Sequence, residues 1–162
     1  MISLIAAMDQ ERGIGAENKL LWHLPDDFKW FKQHTLQKPV IMGKNTMLSL
    51  GKPLVNRLNI VLTHKPEQLL SGFIHATDIE HAITLASKEE KEIMVIGGAN
   101  IYKQFLPLAN RMYLTHIFHK VEGMDAYFPE WDAQQWQLSF KQYHAADAKH
   151  IYPFEFRIWD RV

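Results

Sequence analysis

Val40-Ile41-Met42-Gly43-Lys44-Asn45-Thr46 runs from an apolar strand through one glycine into the start of a helix, and Met94-Val95-Ile96-Gly97-Gly98-Ala99-Asn100 repeats the design. Apolar runs of this length with no polar alternation are buried on both faces, which is the habit of a parallel sheet covered by crossover helices. A helix start leaves backbone N–H groups unpaired and carries partial positive charge, so it favours an anionic group. Glycine lets such a group approach the main chain. Two junctions in one sheet can hold the two phosphates of a dinucleotide near the carboxyl ends of the strands. Equally, both glycines can serve only to turn a tight corner. Neither stretch is a G-x-G-x-x-G or a G-x-x-x-x-G-K-[ST], so the standard Rossmann and P-loop readings fail.

Working outward, Ile2–Met8 reads as a first buried strand and Asp26–Thr35 as a helix with Pro25 at its start, where proline is tolerated. Pro39–Met42 is a strand stopped by Gly43, Thr46–Leu50 a short helix and Leu58–Thr63 another strand. Thr77-Asp78-Ile79-Glu80 matches a capping box and opens a helix to about Ala86. Glu92–Ile96 is a strand, and Asn100–Leu106 a helix ended before Pro107. From Arg111 the helical period fades. Met112–Phe118, Trp136–Tyr143 and Phe154–Trp159 read as strands. The expected fold is therefore α/β, one domain over 1–162, with a mainly parallel twisted central sheet, flanking helices and an antiparallel C-terminal edge.

Composition narrows the function classes. The chain has 162 residues, 47% hydrophobic and 22% charged, with Lys+Arg 18 against Asp+Glu 18. At this length a fold removes roughly 70% of the unfolded surface from water. A balanced charge argues against nucleic acid as a partner. With no cysteine, disulfides, thiol nucleophiles, thiolate metal sites and iron–sulfur clusters are excluded. The apolar runs are too short to span a bilayer, and no basic residue precedes the apolar N-terminal stretch; a cytoplasmic monomer is the expectation.

Leu24-Pro25-Asp26-Asp27-Phe28-Lys29-Trp30-Phe31 carries the sharpest chemical signal. Leu24, Phe28 and Phe31 fall at i, i+4 and i+7, and Asp27 at i+3 shares their face. A carboxylate on an apolar stripe costs several kcal/mol unless it is paired, either with a protein donor or with a ligand carrying amidine-like N–H groups. It can also simply satisfy helix N-terminal donors. The aromatics around it, Trp22 among them, suit a flat heterocycle. Lys44 and the pair His64-Lys65 stand where a further phosphate can be read, or are ordinary solvated cations. Arg57 can clamp a carboxylate or lie free on the surface. His116-x-x-His119 and His144/His150 suggest metal ligands, but His116 and His119 fall on opposite faces of a strand and no acid cluster completes a site; no metal site is expected. Ser49 and Ser71 lack any nucleophile-elbow context.

The sequence resembles dihydrofolate reductase of the bacterial chromosomal type over essentially its whole length. The resemblance rests on Ile2–Ala7, Gly13-Ile14-Gly15, Asn18, Trp22–Asp27, Phe31-Lys32, Lys38–Gly43, Arg57–Ile60, Ile93–Ala99, Tyr102, Phe105-Leu106-Pro107 and Tyr113–Ile117, in the right order and spacing. It implies NADPH-dependent reduction of 7,8-dihydrofolate to tetrahydrofolate, and inhibition by antifolates. It makes Asp27, Trp22, Thr115 and Tyr102 the catalytic residues, with Asp27 on the pterin, supported by Thr115 and, through a water, Trp22. Ile5, Ala6, Ile96 and Tyr102 would line the pterin and nicotinamide; Phe31 and Leu54 would grip the aminobenzoyl ring, with Arg57 on the glutamate. Ala7, Ile14, Gly15, Asn18, Leu20, Gly43, Lys44, Asn45, Thr46, Leu62, Thr63, His64, Lys65, Gly97, Gly98, Ala99, Asn100, Ile101 and Tyr102 would hold NADPH. Gly13–Leu24 corresponds to the family's mobile loop, and the Gly97–Gly98 peptide to its cis bond. Leu21, Lys44, Met47, His64 and Asn100 depart from the residues common in the family. Lysine lacks the bidentate fork of the usual arginine, which bears on the preference for NADPH over NADH. A reductase of the same fold acting on another pterin or a pyrimidine-derived substrate, and a silent NADP- or folate-binding module, are the alternative readings.

Overall fold

The computed structural model describes residues 1–15 and 22–162. An eight-stranded sheet in the order β5-β4-β3-β6-β1-β7-β10-β9 organises the chain. Its strands are β1 Ile2–Met8, β3 Val40–Gly43, β4 Asn59–Leu62, β5 Ile74–Ala76, β6 Ile93–Gly97, β7 Arg111–Ile117, β9 Trp136–His144 and β10 Phe154–Arg161. A separate two-stranded ribbon pairs β2, Gly13–Gly15, with β8, Ala126–Tyr127. All pairings from β5 across to β7 are parallel, and β10 and β9 close the edge antiparallel, as the sequence pattern implies. The helices are α1 Pro25–Thr35, α2 Lys44–Leu50, α3 Ile79–Ser87 and α4 Ala99–Phe105. None among the described residues is long and apolar enough to cross a membrane.

The period-2 geometry of strands sorts the core into two layers. Leu4, Ile41 and Val95 point into one cluster with α3 and α4 residues such as Ala82 and Phe105. Ile5, Val40, Met42, Met94 and Ile96 point into the other, with Leu24, Trp30 and Met47 from the α1 and α2 side. Connections after β1 and β6 leave in opposite directions, since β1 leads to β3 on one side and β6 to β7 on the other. In a parallel sheet, that switch point opens a crevice at the strands' carboxyl ends.

Three local readings shift. The buried residues of α1 are Trp30 and Thr35, whereas Phe28 is 44% exposed. The helix turns its inner stripe through Leu24, Asp27 and Trp30, because Trp30 finds a flat partner in Phe156 at 4.3 Å and 6°. At α3 the cap is Asp78, not Thr77: its side chain accepts from His81 N at 2.7 Å, and the His81 ring accepts from Thr77 N at 3.1 Å. A histidine thus closes the box where Glu80 was expected. Both glycine-led helices also begin earlier than Thr46 and Asn100, with Gly43 and Gly98 themselves at the cap.

Candidate active site

The two glycine junctions lie side by side, since Met42 of β3 pairs with Gly97 of β6. No side chain caps α2 or α4, so the N–H groups of Lys44, Asn45 and Thr46 and of Ala99, Asn100 and Ile101 begin their helices without an intrahelical acceptor. A Cβ on Gly43 would meet Ile101 Cγ1 at 2.9 Å. Gly97 has φ +117, and a Cβ there would meet the Tyr102 hydroxyl at 3.1 Å. The Gly97–Gly98 peptide is cis. Tyr102 is buried, and its hydroxyl donates to the Ile5 carbonyl at 2.7 Å. This ties α4 to β1 beneath the crevice and leaves the tyrosine's own proton engaged. Burial and the nearby Asp27 charge push the phenol well above its usual range.

Asp27 comes from the first turn of α1 to meet β7. The Thr115 hydroxyl, itself buried, donates to Asp27 Oδ1 at 2.6 Å. Burial raises the Asp27 pKa from 3.8 to about 6, against the opposing pull of the Thr115 hydrogen bond. Ile5 and Ile96 are buried in the same cluster as Trp22, with Phe31 and Leu54 packed partly buried against it. The Trp22 indole Nε1 is buried with no hydrogen-bond partner among the described residues, a feature it shares with Trp30 and Trp159. An acid that can be protonated near neutrality, a buried hydroxyl and an apolar wall converge here.

Arg57 stands beyond Phe31. Its Nε donates to the Val55 carbonyl and its Nη1 to Thr35 Oγ1, both at 2.9 Å. Thr35 in turn donates to the Phe31 carbonyl at 2.8 Å. The last turn of α1 therefore aims the guanidinium, leaving its other donors for a ligand. Sequence reading missed Thr35; a threonine four residues after Phe31 on a helix is the signal that was there. It also missed Asp9, buried, whose Oδ1 accepts from Gly13 N at 2.8 Å and Oδ2 from Val121 N at 3.0 Å. Asp9 thereby pins the start of β2.

Of the remaining expected residues, Ala6, Ala7, Ile14, Leu62 and Thr63 are partly buried, while Asn45, His64, Lys65 and Asn100 are exposed. Lys44, His64 and Lys65 make no ion pair with the described residues, so three cationic or titratable groups at the ends of β3 and β4 are free for an anion. Gly15 is buried in β2. Asn18, Leu20 and Leu21 lie outside the described residues, as does the centre of the expected mobile loop. His119 falls beyond the end of β7 and stacks on Tyr152 at 4.1 Å, so the strand-face argument made for it and His116 does not apply. His116 is pushed down to about 4 by burial.

A sheet whose carboxyl ends bring an apolar-walled acid together with two glycine-led helix starts has the form of an α/β protein of the dinucleotide-binding class. The model of the family described as dihydrofolate reductase matches residues 1–161. The dihydrofolate reductase of Bacillus subtilis is 41% identical over 161 residues, covering 99% of this chain and 95% of that protein. That of Buchnera aphidicola from Acyrthosiphon pisum is 44% identical over 162 residues, covering 99% of each. A solved structure of dihydrofolate reductase from Enterococcus faecalis, complexed with NADP(H) and RAB-propyl, superposes with a TM-score of 0.93 at 33% identity, covering 99% of this chain and 96% of that one. The chain belongs to the dihydrofolate reductase family.

Proposed function

We propose that residues 1–162 form one dihydrofolate reductase domain that reduces 7,8-dihydrofolate to 5,6,7,8-tetrahydrofolate with NADPH, as a cytoplasmic monomer that antifolates inhibit. The observation that carries this reading is the Thr115–Asp27 pair set in an apolar wall. A carboxylate with a pKa near neutrality recognises the amide and 2-amino N–H groups of a pterin in a bidentate manner. Thr115 orients it and Trp22 Nε1 supplies a donor for a water at the same edge. Ile5, Ala6 and Ile96 exclude water, which keeps the dielectric low and lets the Asp27 charge raise the basicity of pterin N5. The proton for N5 comes from water rather than directly from Asp27. Phe31 and Leu54 hold the aminobenzoyl ring, and the free donors of Arg57 take the glutamate α-carboxylate.

The cofactor's fit is tested by the chain itself: two helix starts without side-chain caps, a positive-φ Gly97 where a Cβ would crowd Tyr102, and Lys44, Lys65 and His64 without an ion-pair partner among the described residues. NADPH, when bound, supplies the hydride that pterin C6 receives. The N–H groups at Lys44–Thr46 and Ala99–Ile101 hold pyrophosphate, Lys44, His64 and Lys65 read the additional phosphate, and Ala7, Ile14, Gly15 and Leu62 to Thr63 flank the rest of the group. Tyr102, through its bond to the Ile5 carbonyl, positions β1 and is not a proton donor.

The deciding experiment follows loss of NADPH absorbance with dihydrofolate as substrate. Turnover abolished by a 2,4-diaminopyrimidine is the expected result. Oxidation of NADPH only with another pterin, or none with any, overturns the assignment.

A further inference from the structure

Where α1 faces β9 and β10, two histidines converge on the residue next to Asp27. His150 is buried; its Nδ1 lies 2.8 Å from Asp147 Oδ1, and its Nε2 accepts the Asp26 backbone N–H at 3.1 Å. A carboxylate on one side and a donated proton on the other fix the Nδ1–H tautomer. At His144, Nδ1 lies 2.7 Å from the Ala145 carbonyl, which can only accept, so that nitrogen also carries the proton. Nε2 of each ring also lies near Asp26 Oδ2, at 2.9 Å from His144 and 3.9 Å from His150. One ligand atom from each of the three residues lies within 4.8 Å of the others.

We propose that Asp26, His144 and His150 form a binding site for a divalent cation of the Zn2+ class, joining the N-terminus of α1 to the β9–β10 hairpin. Two imidazoles and one carboxylate are a zinc-type donor set with a fourth position left for water. Tetrahedral zinc with bonds of about 2.0–2.2 Å sets its ligand atoms roughly 3.4 Å apart, between the two separations found here. The Asp147 carboxylate behind His150 and the Ala145 carbonyl behind His144 are the outer partners that orient metal-bound histidines. Turning His150 Nε2 to a metal releases the Asp26 N–H, which lies in the first helical turn, where water is an adequate acceptor. Lys29 Nζ is 3.8 Å from the other oxygen, Oδ1, and leaves Oδ2 clear. The Asp26 and His144 side chains are 36% and 26% exposed and line a cleft of ≈ 400 Å³ between α1 and β9, which gives an entry path. Asp26, the carboxylate that both Nε2 atoms approach, arrives from 124 positions before His150 in sequence.

Calorimetric titration of the metal-free full chain with Zn2+ tests this. One equivalent should bind with a micromolar Kd, and at a hundredfold excess over Kd the Tm should rise by roughly 5 °C. Co2+ should give the visible absorption of a tetrahedral site. Because His150→Ala also removes an α1 acceptor, the test uses His144→Ala and Asp26→Asn, checked for folding by circular dichroism. Each should weaken Zn2+ at least about tenfold and erase the Tm rise. No binding by the wild type would show that the His144–Asp26 contact is an ion pair and nothing more. Binding unchanged in both variants would place zinc elsewhere among the 9 histidines. Either result overturns the site.

Discussion

The Thr115 hydroxyl reaches Asp27 Oδ1 at 2.6 Å across the junction of β7 and α1. One partner is a buried strand residue and the other a helix-start acid, so neither can move without its element. The hydroxyl stabilises the ionised carboxylate while burial opposes it more strongly, and the result is a pKa of about 6. The acid is thereby tuned close to neutrality by its position in the fold.

That tuning has a stability consequence. With a folded pKa of about 6 against an ordinary value of 3.8, the native state holds a proton that the unfolded chain has already lost. Stability is therefore drained as pH rises through that window, by about 2–3 kcal/mol at its top. Asp27→Asn should be the more stable protein at neutral pH, and its advantage should widen from about pH 4 to about pH 6 and level off above that. Its turnover should fall by orders of magnitude at neutral pH, with partial recovery in acid as substrate arrives protonated. Denaturant melts and steady-state rates, taken with a chelator present, check both. Near-native turnover at neutral pH rules out the assigned role.

Thr115→Val keeps the volume and removes the donor. The carboxylate then loses its one stabilising hydrogen bond, so the pKa governing the rate should move upward and kcat/KM should fall by roughly tenfold. A pH–rate profile distinguishes this from a packing defect, which would lower the rate without moving the inflection.

Arg57→Ala should weaken dihydrofolate by about 2 kcal/mol, the worth of a charge-assisted pair, and barely alter a pterin that lacks the glutamate. Thr35→Val should produce a smaller version of the same split, because Thr35 only aims the guanidinium. Comparing KM for the two substrates in each variant is sufficient. Equal losses on both would mean that the residues act through α1 packing.

Cofactor choice should favour NADPH over NADH, and the gap should shrink in high salt because Lys44 and Lys65, with His64 beside them, act as point charges at the open ends of β3 and β4. Lys44→Ala should lower kcat/KM for NADPH by roughly tenfold and leave NADH nearly unchanged. Comparable values for both cofactors in the wild type would refute this.

How far the sequence alone leads depends on the range of the interaction. The buried runs at Val40–Met42 and Met94–Ile96 are visible because a doubly covered strand needs uninterrupted apolar residues. Asp27 stands out because a charge on an apolar stripe needs a partner; Trp22 and Arg57 are candidates by their chemistry, and their particular roles, like Thr115 itself, come through family resemblance. By contrast, Ile74–Ala76 and Gly13–Gly15 are strands of 3 residues each, too short for any period to register. Which of Phe28 and Trp30 faces inward is decided by Phe156, far away in the chain. Thr35 under Arg57, Asp9 over Gly13, and Asp26 between two histidines are likewise made by tertiary approach, which local spacing does not encode.

Gly97 offers the most local test of the crevice. Its φ of +117 lies in a region that L side chains rarely adopt, and an added Cβ would stand 3.1 Å from the Tyr102 hydroxyl and 3.2 Å from its ring. Tyr102 has little room to withdraw, being buried against Phe128 at 5.0 Å and hydrogen-bonded to the Ile5 carbonyl. Gly97→Ala should therefore cost about 2–3 kcal/mol of stability from the backbone conformation alone. The crowding should add loss of the tyrosine–Ile5 bond, releasing β1 at the crevice floor. Activity should fall further than the lost stability explains, with KM for NADPH rising. Removing the obstructing hydroxyl by Tyr102→Phe in the same chain should recover part of the cofactor affinity but not the backbone cost. Melting curves and KM for the single and double variants separate the two contributions. A Gly97→Ala protein with wild-type stability and cofactor affinity would mean that neither the φ nor the Tyr102 contact constrains this turn.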